Sequence, residues 1–119
     1  MKPKYNFFKN SSYAMDGIKA MIKTQTSFKI ELIIIIPAII LALFLSISFI
    51  LKILCICSLI LILAMESLNS AIEACVDLYT NEFHPLAKIA KDCGSSAVFF
   101  SISIAAIIWI YTFYELFYG

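Results

Sequence analysis

Arginine is missing from this chain, and all nine basic residues are lysine. Glycine and proline occur three times each, histidine and tryptophan once, and only 14% of the 119 residues are charged. Each scarcity excludes something. The three glycines form neither G-x-x-x-x-G-K-[ST] nor G-x-G-x-x-G, so neither familiar backbone cradle for nucleotide phosphates is present. A net charge of +1 gives no electrostatic footprint for nucleic acid, and no nucleic-acid partner is expected. One histidine and four cysteines without a CxxC pair make no zinc pattern, so Cys55, Cys57, Cys75 and Cys93 read as buried or reduced thiols. The Lys-rich, polar first 29 residues lack the short apolar segment and small-residue cleavage site of a secretory signal, so the amino terminus is expected to stay on the mature chain.

What is abundant is hydrocarbon. At 62% hydrophobic the chain lies well above the roughly 45–50% of soluble domains, which marks an integral membrane protein. Leu32 to Leu51 is uncharged and long enough to cross a core of about 30 Å. Ile53 to Met65 and Gly94 to Tyr114 are also uncharged, the former merging into an acidic stretch. The expectation is a single all-α membrane domain over 1–119, with membrane helices at about 32–51, 53–78 and 94–117. Residues 5–29 place Phe7, Phe8, Tyr13, Met15, Ile18, Met21 and Ile22 among lysines at close to helical spacing, as in an amphipathic helix lying in the interface. Ser11 or Ser12 is a candidate start or break in that helix. A basic segment that merely sets topology is the plainer reading.

Lys2, Lys4, Lys9, Lys19, Lys23 and Lys29 precede the first span, Lys52 lies between the first two, and Lys88 and Lys91 lie between the last two. The positive-inside rule then puts the amino terminus and a 79–93 loop in the cytoplasm, and the Lys52 turn and carboxyl end outside. Trp109, Tyr111, Tyr114 and Tyr118 would form the outer aromatic belt.

The costly feature is "AMESLNSAIEACVD", residues 64–77, where acids continue an apolar helix. At about 100° per residue, Glu66, Asn69, Ser70, Glu73 and Asp77 fall within an arc of about 100° on one face. A carboxylate at the membrane centre costs about 2.5–3.5 kcal/mol on insertion scales, so such residues usually face a bundle interior and act on something. Three carboxylates and an amide carbonyl are hard oxygen ligands suited to Mg²⁺, and a carboxylate beside hydrocarbon suits a base that takes a proton from a hydroxyl. Two other readings stay open here: polar glue between helices, and a path for protons or ions. The neighbouring "NEFHPLAKIAKDCGSS", residues 81–96, is a solvated connector if taken alone. Beside the acidic face, its Glu82, His84, Lys88, Lys91 and Asp92 supply the charge neutralisation that phosphoryl transfer needs. His84 reads as a hydrogen-bonding residue rather than a metal ligand.

The run Glu66-Ser67-Leu68-Asn69-Ser70-Ala71-Ile72-Glu73-Ala74-Cys75-Val76-Asp77, then Glu82-Phe83-His84, then Ala90-Lys91-Asp92, resembles the bacterial diacylglycerol kinase family. That family's pattern is E-x-x-N-[ST]-A-[IV]-E-x-x-[VI]-D, then E-[FY]-H, then A-K-D, and the match is gapless over about 33 residues. The resemblance implies a homotrimeric bundle in the bacterial inner membrane, with active sites shared between subunits. It implies ATP and Mg²⁺ as co-substrate and cofactor and diacylglycerol, among the membrane lipids, as acceptor. Carried over by position, Glu66 matches the general base, Asn69 its neighbour and Glu73 a metal ligand. Asp77, Glu82, His84, Lys91 and Asp92 match the nucleotide-contacting set, as does Tyr13. Glu31 and Ser95, with Glu66, match positions near the lipid. Gln25 falls where the family carries a second metal-ligating Glu, and Asn6 where it carries an Arg. The family also includes undecaprenol kinases, which "EFHPLAKIAKD" resembles, whereas "KDCGSSAV" and "SFKIE" resemble the diacylglycerol branch.

Overall fold

The computed structural model describes residue 4 and residues 6–119, which form four helices and no strand. These are α1 (Phe7–Thr24), α2 (Thr26–Phe44), α3 (Phe49–Tyr79) and α4 (Pro85–Tyr118). Residue 5, where the interfacial helix was expected to begin, and Lys2 lie outside the described residues.

The helix ends differ from the sequence expectation wherever a polar side chain captures a backbone group. Asn6, not Ser11 or Ser12, starts α1: it is extended, and its Oδ1 accepts the Lys9 N–H at 3.1 Å. Ser11 lies inside the helix and donates to the Phe7 carbonyl at 3.0 Å. At the other end Thr24 Oγ1 donates back to the Ala20 carbonyl at 2.7 Å, and Gln25 leaves helical geometry at φ −113, ψ 106. The expected 5–29 helix is therefore two pieces, α1 and the first turn of α2.

The uncharged run 32–51 is not one helix either. Leu45 turns extended, and Ser48 caps α3 by accepting the Leu51 N–H at 3.2 Å. Lys52 thus sits in the first turn of α3, where its Nζ donates to the Leu43 carbonyl at 2.9 Å, one of the groups that the end of α2 leaves unpaired. The expected 79–93 loop contracts to 80–84, because Pro85 occupies the first turn of α4 and His84 caps it, Nδ1 accepting the Leu86 N–H at 3.1 Å. Lys88, Lys91 and Asp92 are consequently fixed on a helix.

Paired residues run in opposite order along α3 and α4: Asp77 meets Lys91, Asn69 meets Gly94, and Cys55 meets Thr112. The two helices are antiparallel. The same holds for α2 and α3, where Ile35 packs with Leu59 and Ile62, and Lys52 reaches Leu43. A small core of Ile35, Leu59, Ile62 and Ala105 joins all three. Trp109 packs against this core instead of standing only in a surface belt, whereas Tyr111, Tyr114 and Tyr118 are exposed. Small polar residues line the α3–α4 seam: Cys55, Ser58, Ser101 and Thr112 are buried. Their hydroxyls are satisfied within the helices, Ser58 donating to the Cys55 carbonyl, Ser101 to that of Val98 and Thr112 to that of Ile108. Small side chains with internally satisfied hydroxyls let two helices approach where no water can assist.

Large apolar side chains such as Ile33, Phe44, Phe99 and Ile107 point outward. α2, α3 and α4 are each long and apolar enough to cross a membrane, which makes this a multi-pass membrane protein. The 31 residues of α3 extend about 46 Å against a hydrocarbon core of about 30 Å, so at least a turn of α3 stands beyond the core.

The tight seam should resist enlargement. Ser101→Leu is expected to destabilise the protein by about 1–3 kcal/mol through overpacking. Ser101→Ala should stay within about 0.5 kcal/mol, as thermal unfolding in detergent micelles would report.

Candidate active site

The acidic face of α3 is graded by burial. Glu66 and Asn69 are each 9% exposed, Glu73 is half-buried and Asp77 is exposed. Each neighbouring helix contributes a different contact to this face. From α2, the Glu31 carboxyl comes close to that of Glu66. Glu31 Oε2 is buried without a partner among the described residues. From α4, the backbone at Gly94 closes against the Asn69 carboxamide. Further along, Lys91 Nζ reaches Asp77 Oδ1 at 2.7 Å.

Beyond that ion pair the α3–α4 turn opens into a cleft of about 390 Å³, lined by Asp77, Glu82, His84, Lys88, Lys91 and Asp92 among others. Lys88 and Asp92 pair at 2.6 Å one helical turn apart. Both ion pairs are substantially exposed, so solvent screens them and an anionic ligand can compete for either ammonium. His84 is held by its cap: Nδ1 is occupied by the Leu86 N–H, which leaves Nε2 as its free ring atom. The two ammonium groups and the imidazole N–H can meet a polyanion, while the carboxylates of Asp77, Glu82 and Asp92 favour one that carries a cation with it.

The residues singled out from the sequence divide between this continuous site and other places. Glu66, Asn69, Glu73 and Asp77 run into the cleft holding Glu82, His84, Lys91 and Asp92, with Glu31 at the buried end. Gln25 instead lines a separate groove of about 320 Å³ between the end of α1 and Ser67, Ser70, Ala71 and Ala74 of α3. Tyr13 is exposed on α1 and Ser95 is exposed on α4. Neither lines the cleft.

Among the described residues no three His, Cys, Asp or Glu side chains gather as a metal cage. That donor set still fits Mg²⁺ carried on a polyphosphate, because Mg²⁺ keeps several waters and is commonly held by one or two carboxylates plus substrate phosphates. Glu73 offers such a carboxylate, and the Gln25 groove borders Ser70 and Ala74 on either side of it in sequence.

Two features escaped the sequence reading. The closeness of Glu31 to Glu66 brings together residues 35 positions apart with no local pattern to reveal it. Gly94 left only a faint signal, a single glycine at the start of an uncharged helical run, where glycine usually has a packing reason.

Comparison with known proteins gives one consistent result. The family model described as prokaryotic diacylglycerol kinase matches residues 12–113. The diacylglycerol kinase of Escherichia coli (strain K12) is 38% identical over 101 residues, covering 85% of this chain and 83% of its own. That of Haemophilus influenzae is 39% identical over 100 residues, covering 84% of this chain and 85% of its own. That of Helicobacter pylori (strain J99) is 38% identical over 102 residues, covering 86% of this chain and 80% of its own.

The exposed Asp77–Lys91 pair should matter little to folding. Asp77→Asn is expected to cause only a small loss of thermal stability, and that loss should shrink when unfolding is repeated in high salt.

Proposed function

The chain belongs to the prokaryotic diacylglycerol kinase family and is a lipid kinase, and from that premise we propose that it transfers the γ-phosphate of ATP to the free hydroxyl of diacylglycerol. The products are phosphatidic acid, ADP and a proton, a reaction that returns diacylglycerol to the phospholipid pool. The observation carrying this reading is the single polar face of α3, which leads from the buried carboxyl of Glu66 to an open cleft lined by Lys88 and Lys91 with Asp77, Glu82 and Asp92.

In this reading the lipid hydroxyl arrives laterally from the membrane at Glu66, which takes its proton as the oxygen attacks the γ-phosphorus. Asn69 stands one turn further along and orients the reacting groups. Glu31, beside Glu66, and Ser95 face the lipid. Lys91 exchanges its pairing with Asp77 for the polyphosphate, and Asp92, Glu82 and His84 position the nucleotide. Tyr13 of α1 adds an aromatic contact to the nucleotide. Mg²⁺, bound with the nucleotide, supplies charge neutralisation on the phosphates. Glu73 would hold it through a carboxylate, and Gln25 would offer a neutral carbonyl.

Tyr13 and Ser95 stand apart from the cleft of their own chain, which supports a site shared between subunits of a homotrimer. The lysine distribution supports a bacterial inner-membrane location, with the amino terminus and the 80–84 turn in the cytoplasm and α1 lying amphipathically on that surface. The kinase assignment displaces the ion-pathway reading of the acidic face.

Purified protein in lipid bicelles with radiolabelled ATP should label diacylglycerol in preference to undecaprenol. Labelled undecaprenol alone would move the chain to the other branch of the family, and no labelled lipid from either would overturn the reading. Glu66→Gln should lower kcat by about 10²–10⁴-fold with nucleotide affinity largely retained, whereas a near-normal rate would remove Glu66 as the base. Gln25→Glu, which adds a carboxylate, should lower the Mg²⁺ concentration needed for half-maximal rate.

A further inference from the structure

α4 approaches the acidic face of α3 closely where Gly94 meets Asn69. Gly94 is buried and lies within regular helix without positive φ, so its backbone conformation is open to any residue. The constraint is space. A methyl group at Gly94 would overlap Asn69 Oδ1 and would stand 3.3 Å from Asn69 Cγ and 3.4 Å from Ile72 Cδ1. Asn69 is itself nine-tenths buried, and its Oδ1 has no hydrogen-bond partner among the described residues. Pressed against the Gly94 backbone, that oxygen has at most a weak C–H···O contact. The amide's strong donors, the two N–H bonds of Nδ2, lie on the other branch of the carboxamide.

Helix packing alone does not call for glycine here. Elsewhere on α4 the buried positions are filled by Ser101, Ala105 and Thr112, and glycine is a poorer helix former than any of these. The overlap at Gly94 involves the end of one side chain and no backbone atom. A methyl would therefore be accommodated by turning the Asn69 carboxamide, one helical turn from Glu66, with the two helices left in place.

We propose that Gly94 is a positioning residue for phosphoryl transfer: its missing side chain is what allows the Asn69 carboxamide to stand beside Glu66. The inference rests on the kinase reading in which Asn69 belongs to the site, and it gives α4 a second role besides carrying Lys91 and Asp92.

The test is a double-mutant cycle on the full chain in bicelles, reading kcat, the KM for MgATP and thermal stability. G94A should assemble and unfold near the wild-type temperature, with kcat lowered by about tenfold to hundredfold, the range a misplacement of about 1 Å produces, and with KM for MgATP nearly unchanged. In the N69A background, read at long incubation, adding G94A should cost nothing further, because the group it displaces is gone. A G94A enzyme with wild-type kcat would overturn the proposal, as would losses that multiply in the double variant. Where G94A itself assembles poorly, N69A/G94A should recover the thermal midpoint of N69A, and a double variant as unstable as G94A would assign Gly94 to helix packing instead. Failure of the kinase reading is distinct, since the wild-type protein would then label no lipid at all.

Discussion

A carboxyl group withdrawn from water must find a partner or a ligand, and Glu66, nine-tenths buried on α3, is where that requirement bears on the whole bundle. It determines what each neighbour brings. α2 brings Glu31, its one acidic residue, beside Glu66. α4 brings Gly94, a residue without a side chain, against Asn69, one turn away. The small polar seam of Cys55, Ser58, Ser101 and Thr112 and the core around Ile35 and Leu59 hold these helices in register at the far end. A slip of one residue between α3 and α4 would place a bulkier neighbour of Gly94, Cys93 or Ser95, against Asn69.

Much of this was legible in the sequence because periodicity is a local property. Glu66, Asn69, Ser70, Glu73 and Asp77 share one face through the helical repeat alone, and two uncharged stretches of spanning length, with a shorter one that runs on into the acidic stretch, announce three long helices. The boundaries were less legible, since charge is a poor guide to where a membrane helix stops. Nothing charged marks the break after Phe44, which depends on the Ser48 hydroxyl capturing one N–H. Nothing in the composition of 79–93 distinguishes a loop from a helix until Pro85 and the His84 cap are considered together. Contacts between helices were the least legible. The closeness of Glu31 to Glu66 and the Gly94–Asn69 contact exist only once two helices have a register, and register is set by packing spread over the whole seam.

The gradient along α3 also gives the proposed reaction a physical order. Eleven residues separate Glu66 from Asp77, about 16 Å of helix. One end lies among apolar side chains, and the other faces a polar cleft open to water. A lipid alcohol cannot leave the bilayer without exposing its chains, and a nucleotide polyphosphate cannot enter hydrocarbon without losing its hydration. Only the terminal phosphoryl group needs to travel toward the hydroxyl. Glu73 is half-buried between the two ends, and in the kinase reading its carboxylate would meet a metal carried on the phosphates.

This ordering explains why the site can dispense with glycine-rich phosphate loops. Such loops surround phosphates with backbone N–H groups that a membrane helix has already committed to its own hydrogen bonds. In the kinase reading, phosphate charge is met chiefly by side chains fixed on rigid helices. Lys91 is placed for this by α4 beginning at Pro85, nine residues before Gly94. The early start of α4 therefore links the two requirements: the same helix that aims Lys91 at the cleft also brings Gly94 to Asn69, so the polyanion end and the buried-acid end are positioned by one rigid element. In the kinase reading, the registration of α4 against α3 sets the distance between the phosphate-holding and proton-accepting groups.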